Sequence, residues 1–351
     1  MNFGIILGTR PEIIKMSYLI KLFENSKQKF ILIHSKQHYD DELDNIFFNQ
    51  LNIIKPHYTL NVGSGSHAKQ TYLILKHLEP ILIDENIDIL LVHGDTNTTF
   101  AGALTASKLG IKVAHVEAGL RSFDKSMPEE INRVLTDHIS DYLFAPTLLN
   151  KTNLLKENIP KNKIYVVGNT IVDIMTSINI EELSYNYTYD SVITLHRPSN
   201  LINKQILIKF LNSLDIILKN NNLTMILPMH PRLSKILNNR KYSNIKLNSP
   251  LGYNEFLYIL SKAKFVLTDS GGIQEEASIL GVPCLTIRKN TERPETISIG
   301  ANKLISINDY ENLETLILEL INNNHNWDHP FGSGNTSQKI FDILNNSFSN
   351  S

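Results

Sequence analysis

The chain has one cysteine, no long apolar run, no excess of charge of either sign, and neither of two familiar cofactor signatures; each absence narrows what it can be. With Cys284 alone, no disulfide can form within the chain, and its setting in GVPCLTI reads as a small residue buried in a strand. No segment approaches the roughly 20 apolar residues that span a bilayer, so no membrane partner is expected. Lys and Arg number 34 against 35 Asp and Glu, which leaves no basic footprint for nucleic acid. Any bound anion must therefore be held by a local cluster. Nothing resembles H-E-x-x-H or another compact ligand spacing, so no metal is expected. The first Gly-containing turn, GTRPE from Gly8, places Arg10 and Pro11 where G-x-G-x-x-G would need glycines, which disfavours a nicotinamide dinucleotide bound in the usual way. No cofactor is expected. The N-terminal MNFGIILGTR reads as a strand and a loop without the basic region and long apolar core of a signal peptide, so the expected location is cytoplasmic.

What is present is alternation. Short β-rich runs at 2–7, 30–34, 87–93, 112–116 and 142–144 are separated by stretches of helical spacing or composition at 13–23, 70–82, 100–109 and 128–138. That is the pattern of a parallel sheet covered on both faces. An irregular Tyr- and Asn-rich stretch at 181–189 reads as a connector. The pattern then restarts, with strands at 191–195, 223–228, 244–247, 265–268, 283–287 and 303–304 and helices at 203–220, 254–261, 272–280 and 309–322. At 351 residues, two domains are expected: 1–168, joined by a last helix at about 336–351, and 169–335. The expected class is α/β, two doubly wound Rossmann-like domains with a ligand cleft between them.

Six polar motifs sit just past an apolar run or open a helix: GTRPE, GDT, VEAG, PEEINR, LHRP and DSGGIQEE. Open parallel sheets bind ligands outside the carboxyl ends of their strands, so these positions are candidates for a site. In TDSGGIQEE a strand ends, Gly271 and Gly272 let backbone approach a ligand, and Ser270 is placed to cap a helix whose free N–H groups favour an anion such as a diphosphate. Glu276, one turn in, can accept both hydroxyls of a ribose; the plainer reading is a capped helix with acidic first-turn residues. Arg10 can fork onto phosphate oxygens, and Lys15 follows one turn after Pro11, either toward a ligand or on a solvated helix face. Asp95, Glu117 and Glu129 are the carboxylates placed for paired acid and base duties, although Asp95 also suits a turn and Glu129 a helix start. His196 and His230 end strands beside Arg and Pro, which fits phosphate recognition or acid catalysis as well as a structural role. Arg293 in TERPE adds a further donor on a loop.

Taken in order, GTRPE-IIK, QHYD, HGDTNTT, HVEAGLRS, MPEEINR, VGNT, LHRPSN, MHPR, DSGGIQEE and TERPE resemble the non-hydrolysing UDP-N-acetylglucosamine 2-epimerase family over nearly the whole chain. The resemblance implies a GT-B fold of two Rossmann-like domains. It also implies reversible interconversion of UDP-N-acetylglucosamine and UDP-N-acetylmannosamine, by elimination of UDP to 2-acetamidoglucal and re-addition. It assigns acid–base work to Asp95, Glu117 and Glu129, with Lys15 and Arg133 supporting them. His196 would contact or protonate the leaving diphosphate, with Arg10, Ser270, Gly271, Gly272 and Arg293 as further anion ligands and His230 nearby. Glu276 would hold the ribose, and Phe256 would lie against uracil.

Gln37 and His38 match a Gln-His motif through which bacterial members bind a second, activating UDP-sugar, but YDDEL and VGSGSH depart from the bacterial pattern. A homodimer is expected from the family alone. Rival readings are a hydrolysing epimerase releasing N-acetylmannosamine and UDP, a 2-epimerase of a modified UDP-sugar, a GT-B glycosyltransferase, and a UDP-sugar sensor without turnover.

Overall fold

A computed structural model describes residues 1–37, 48–237, 240–323 and 325–346. Contacts divide the chain into two units, Met1–Ser177 with Pro330–Ser351, and Ile178–His329.

The first unit holds seven parallel strands: β1 (Asn2–Leu7), β2 (Lys29–His34), β3 (Tyr58–Thr59), β4 (Ile89–His93), β5 (Lys112–Val116), β6 (Tyr142–Ala145) and β7 (Ile164–Val166). Their order is β3-β2-β1-β4-β5-β6-β7. The helices are α1 (Arg10–Asn25), α2 (His67–Asp84), α3 (Asn97–Lys108), α4 (Pro128–Ile139), α5 (Leu148–Lys156) and α6 (Thr170–Ser177). Every residue of β4 and all but the first of β1 are buried, as a strand covered on both faces requires. Gly8, which follows β1, sits so close to Thr98 and Ser35 that a Cβ there would collide with both. Only glycine admits this approach of α3 to the β1 loop.

The second unit holds six parallel strands: β8 (Ser191–Thr194), β9 (Met225–Pro228), β10 (Ile245–Asn248), β11 (Phe265–Thr268), β12 (Cys284–Ile287) and β13 (Asn302–Ile305), ordered β10-β9-β8-β11-β12-β13. Its helices are α7 (Pro198–Leu201), α8 (Lys204–Asn220), α9 (Pro231–Leu237), α10 (Tyr253–Lys262), α11 (Gly271–Ile279), α12 (Pro294–Ser298) and α13 (Leu313–Asn322). Period-two alternation splits β11 between two cores: Phe265 and Leu267 join Phe210 and Leu214 on one face, while Val266 joins Val192 and Ile226 on the other. Cys284 belongs to the second core, fully buried, and burial pushes its thiol up to about 12. It packs as a small apolar residue.

The last helix, α14 (Thr336–Asn346), packs on α1 and α6 in the first unit. Asp173 of α6 accepts the N–H groups of Thr336 and Ser337 at 2.9 and 2.6 Å, capping the helix start, and Phe341 meets Phe23 edge-on at 5.1 Å. The sequence pattern did not signal β3, β7, α5, α6, α7, α9 or α12. β3 has two residues and β7 three, while α12 has five, too few to establish a period.

Both sheets reverse direction of growth at one place, between β1 and β4 in the first unit and between β8 and β11 in the second. Those switch points decide which loops become neighbours.

Candidate functional site

In the first unit, the loops after β1 and β4 flank the switch point. Arg10 opens α1 with Pro11 in its first turn, and Lys15 follows on the same helix, buried. Lys15 Nζ donates to Glu117 Oε1 at 2.8 Å. Glu117 follows β5 with φ of +72°, a left-handed conformation seldom taken by a residue with a side chain. The N–H groups of Glu117 and Ala118 both reach the Phe144 carbonyl at 3.1 Å, and this shared acceptor at the end of β6 accompanies the unusual backbone. His93, the last residue of β4, brings Nε2 to 3.1 Å from the other Glu117 oxygen. The buried Lys15 ammonium thus bonds one Glu117 oxygen, while the buried His93 imidazole lies near the other without an aligned hydrogen bond.

Asp95 lies on the loop after β4, half-buried and paired with the Arg133 guanidinium of α4. Arg133 also pairs with Glu130, which accepts the N–H groups of Ser122 and Phe123 at 2.9 and 2.8 Å. Asn132 donates to the Asp95 carbonyl at 3.0 Å, and His115 Nε2 contacts the Gly94 carbonyl at 2.8 Å, so the Asp95 loop is held from two sides. His115 is set by Asp137 at 2.7 Å, and Asp137 also pairs with Arg121 at 2.7 Å. Burial would raise the Asp137 carboxyl, but His115 and Arg121 outweigh it and hold it below the ordinary carboxylate value. Glu129, in the first turn of α4, has neither a hydrogen bond nor an ion pair among the described residues. Three carboxylates thus occupy three different environments, which is what separate acid and base duties need.

Glu12 is a further, buried carboxylate in this unit. It reaches back to the N–H groups of Gly8 and Thr9 and accepts from Thr96 Oγ1 at 2.7 Å. Burial, opposed by those hydrogen bonds and by His93, leaves its carboxyl raised. Gln37 is buried, with its amide accepting from Thr98 Oγ1 at 2.9 Å and donating to Gln70 at 3.4 Å; His38 lies outside the described residues.

In the second unit, register pairs Thr194 with Thr268 and so sets the ends of β8 and β11 side by side. His196 follows the first and Asp269 the second. The fully buried Asp269 carboxylate accepts from the N–H groups of His196 and Arg197 at 3.1 and 2.9 Å, from Asn200 Nδ2 at 3.1 Å, and lies 2.6 Å from His196 Nδ1. Burial alone would raise this carboxyl, yet the hydrogen bonds hold it below the ordinary range.

Ser270 occupies the N-cap position of α11, but its hydroxyl makes no capping bond; its own N–H donates to Thr268 Oγ1 at 3.0 Å. The expected side-chain cap is absent because the Ser270 backbone is tied back to β11. What stands beside the helix start is Arg293. A Cβ on Gly271 would lie 2.5 Å from Arg293 Nη1 and 2.8 Å from its Cζ, so a side chain there would displace the guanidinium that rests on it. Arg293 Nε donates to Glu275 at 2.7 Å, and Arg293 Nη1 meets Glu292 at 3.3 Å; Glu292 is clamped by Arg288 and lies 3.7 Å from Arg197. A guanidinium laid on a helix N-terminus is a site for an anion.

Glu276 is buried one turn into α11, and the Tyr253 phenol of α10 lies beside it. Burial, then that neighbouring carboxylate, pushes the phenol well above its usual value, so Tyr253 stays neutral. Phe256 sits one turn along α10, partly buried against the core of Val192 and Ile226. His230 is exposed after β9, where Nδ1 accepts the Arg232 N–H at 3.3 Å; β9 lies on the side of β8 away from β11, one strand removed from the switch point.

The model of the family described as UDP-N-acetylglucosamine 2-epimerase matches residues 21–345. The chain belongs to the UDP-N-acetylglucosamine 2-epimerase family. It is 49% identical to a UDP-N-acetylglucosamine 2-epimerase of Methanococcus maripaludis, over 98% of each chain. It is 37% identical to a UDP-2,3-diacetamido-2,3-dideoxy-D-glucuronate 2-epimerase of Pseudomonas aeruginosa, over 98% of this chain and 99% of that one. Its fold is similar to that of the Methanocaldococcus jannaschii UDP-GlcNAc 2-epimerase crystallised with UDP-GlcNAc and UDP, with a TM-score of 0.92, 48% identity, and 99% and 100% of the two chains covered. The two Rossmann-like units are those of the GT-B type that this family adopts.

Several side chains in these clusters were not singled out from the sequence. Glu12 had a signal, since Thr9 and Glu12 stand in the T-x-x-E spacing of a capping box. His93 and Asp269 each end a strand within a motif, but their partners come from neighbouring strands. Glu292 lies within TERPE, whereas Arg288 had no signal beyond charge.

Proposed function

We propose that this chain interconverts UDP-N-acetylglucosamine and UDP-N-acetylmannosamine without net hydrolysis, by eliminating UDP and adding it back. The observation that carries the proposal is the Glu117 carboxylate bonded to Lys15, with His93 near its other oxygen, beside the loop on which Arg133 holds Asp95. C2 of the sugar has no adjacent carbonyl to acidify its hydrogen. Loss of that proton must therefore accompany departure of a stabilised diphosphate. One carboxylate takes the C2 proton, the electron pair forms the C1–C2 double bond, and the C1–O pair leaves with UDP. Inversion follows when a different acid returns a proton to the other face as UDP adds back. Asp95, Glu117 and Glu129 supply these groups, and such help is worth roughly 10²- to 10⁴-fold. The departing charge is met by Arg10, His196, Arg293 and the start of α11 at Ser270, Gly271 and Gly272. Glu276 takes the ribose and Phe256 the base.

The relative crystallised with UDP-GlcNAc and UDP supports this substrate, and the Pseudomonas aeruginosa relative favours a diacetamido uronic acid as the second reading. A proton NMR time course with UDP-N-acetylglucosamine in D₂O tests both. UDP-N-acetylmannosamine carrying deuterium at C2 is expected. Free N-acetylmannosamine with UDP would replace the proposal by hydrolysis, and an untouched substrate would direct the search to the modified sugar.

A further inference from the structure

Asp269 is a fully buried carboxylate at the second switch point. Three N–H groups, from the His196 and Arg197 backbone and from Asn200, donate to it, so it acts throughout as an acceptor. Its carboxyl is held in the ionised form, with burial overcome by the His196 and Arg197 hydrogen bonds. An ionised carboxylate 2.6 Å from His196 Nδ1 leaves that nitrogen one role, that of donor. The imidazole carries its hydrogen on Nδ1, and the half-exposed ring presents Nε2 away from the buried carboxylate.

We propose that Asp269 is the positioning residue of His196, fixing its tautomer so that Nε2 is the nitrogen that serves the leaving diphosphate. The inference rests on the reaction proposed above and adds to it the control of one ring. During elimination the C1–O electron pair passes to the β-phosphate oxygen, and His196 gives that oxygen the Nε2 hydrogen. On re-addition Nε2 takes the hydrogen back as the C1–O bond forms. Asp269 keeps its charge in both directions and stabilises the imidazolium before each donation, as the buried Asp of a serine protease triad does for its His. The other charged groups around the pair are Arg197, whose Nε donates to the Asp269 carbonyl at 3.0 Å, and Glu292, 3.7 Å from Arg197 and already paired with Arg288 and Arg293. The contact that sets the Nδ1 hydrogen is the one with Asp269.

The test uses the full chain labelled with ¹⁵N-histidine, with His196→Gln identifying the His196 signals. Long-range ¹⁵N–¹H spectra are expected to show the hydrogen on Nδ1 and an Nε2 signal that shifts when UDP is added. A neutral ring with its hydrogen on Nε2 would overturn the proposal, and this measurement needs no variant to fold. Asp269→Asn, which removes the charge and keeps an acceptor, is expected to lower kcat on the order of 10²- to 10⁴-fold with KM and UDP affinity changed by no more than about threefold. It is also expected to move the limb of the pH–rate profile that belongs to His196, which a purely structural role would leave in place. In the His196→Gln background the same substitution is expected to add nothing. A wild-type kcat in Asp269→Asn, or losses that multiply in the double variant, would overturn the proposal. Wild-type protein that binds UDP but does not exchange C2 would overturn the epimerase reading, while the tautomer measurement would still decide this one.

Discussion

Lys15 Nζ and His93 Nε2 stand 2.8 and 3.1 Å from opposite oxygens of the Glu117 carboxylate, and all three side chains are buried. A cation beside a buried carboxylate favours its charged form. Lys15→Met removes that cation. The expected outcome is a stability loss of about 3–5 kcal/mol, the cost of breaking a buried pair by removing one partner. The surviving Glu117 carboxyl should also titrate at higher pH, moving the acid limb of kcat upward. Thermal denaturation and a pH–rate profile check the two effects separately; an unmoved acid limb would remove Glu117 from the acid–base set.

Asp95→Asn and Glu117→Gln keep shape and remove a titratable group. Each is expected to slow deuterium entry at C2 on the order of 10²- to 10⁴-fold. Calorimetric titration with UDP should give near wild-type affinity, because most of the groups proposed to hold the nucleotide, His196, Phe256, Ser270, Glu276 and Arg293, lie in the second unit and these two carboxylates in the first. Loss of UDP binding would show that the carboxylates hold ligand instead of moving protons.

Gly271→Ala places a methyl 2.5 Å from Arg293 Nη1 and must push the guanidinium off the start of α11. A charge-assisted contact of about 1.5–3 kcal/mol is then lost, so UDP affinity should fall roughly 10- to 100-fold. Arg293→Met should cost a similar factor, and the two together little more than either alone. Additive losses would mean that glycine is needed for something other than the arginine.

Asp137 and Asp269 both have carboxyls depressed below the ordinary value of 3.8 in the folded chain. For a depressed acid the unfolded state binds the proton more readily, so the contribution to stability is complete above 3.8 and is lost as pH falls through the lower, folded value. Thermal midpoints are expected to drop steeply with acid below 3.8, and Asp137→Asn, less stable at neutral pH, should show a flatter decline. Parallel curves for the variant and the wild type would separate acid sensitivity from this carboxylate.

Much of the fold was legible because its signals are local. A buried parallel strand reads as a short apolar run, so β1, β4, β8 and β11 are evident, and helices as long as α8 carry a clear period. Elements such as β3 and α12 are too short for a pattern and exist because neighbours complete them. At the site, residue type and position relative to a strand end marked Asp95, Glu117, His196 and the 270–272 turn. The absent cap on Ser270 was not foreseeable, since whether a serine caps depends on where its backbone is tied.

The sequence by itself determined the class of fold, the alternation that winds each sheet, and membership of the epimerase family, all properties of short segments taken in order. Only the tertiary structure decided which charges meet. Lys15 and Glu117 are 102 residues apart, and the Asp269 carboxylate caps a backbone 73 residues earlier. No periodicity reports such distances. They follow from strand order and register, which bring β4 beside β5 and β8 beside β11, and from burial, which makes each charge depend on the partner placed there.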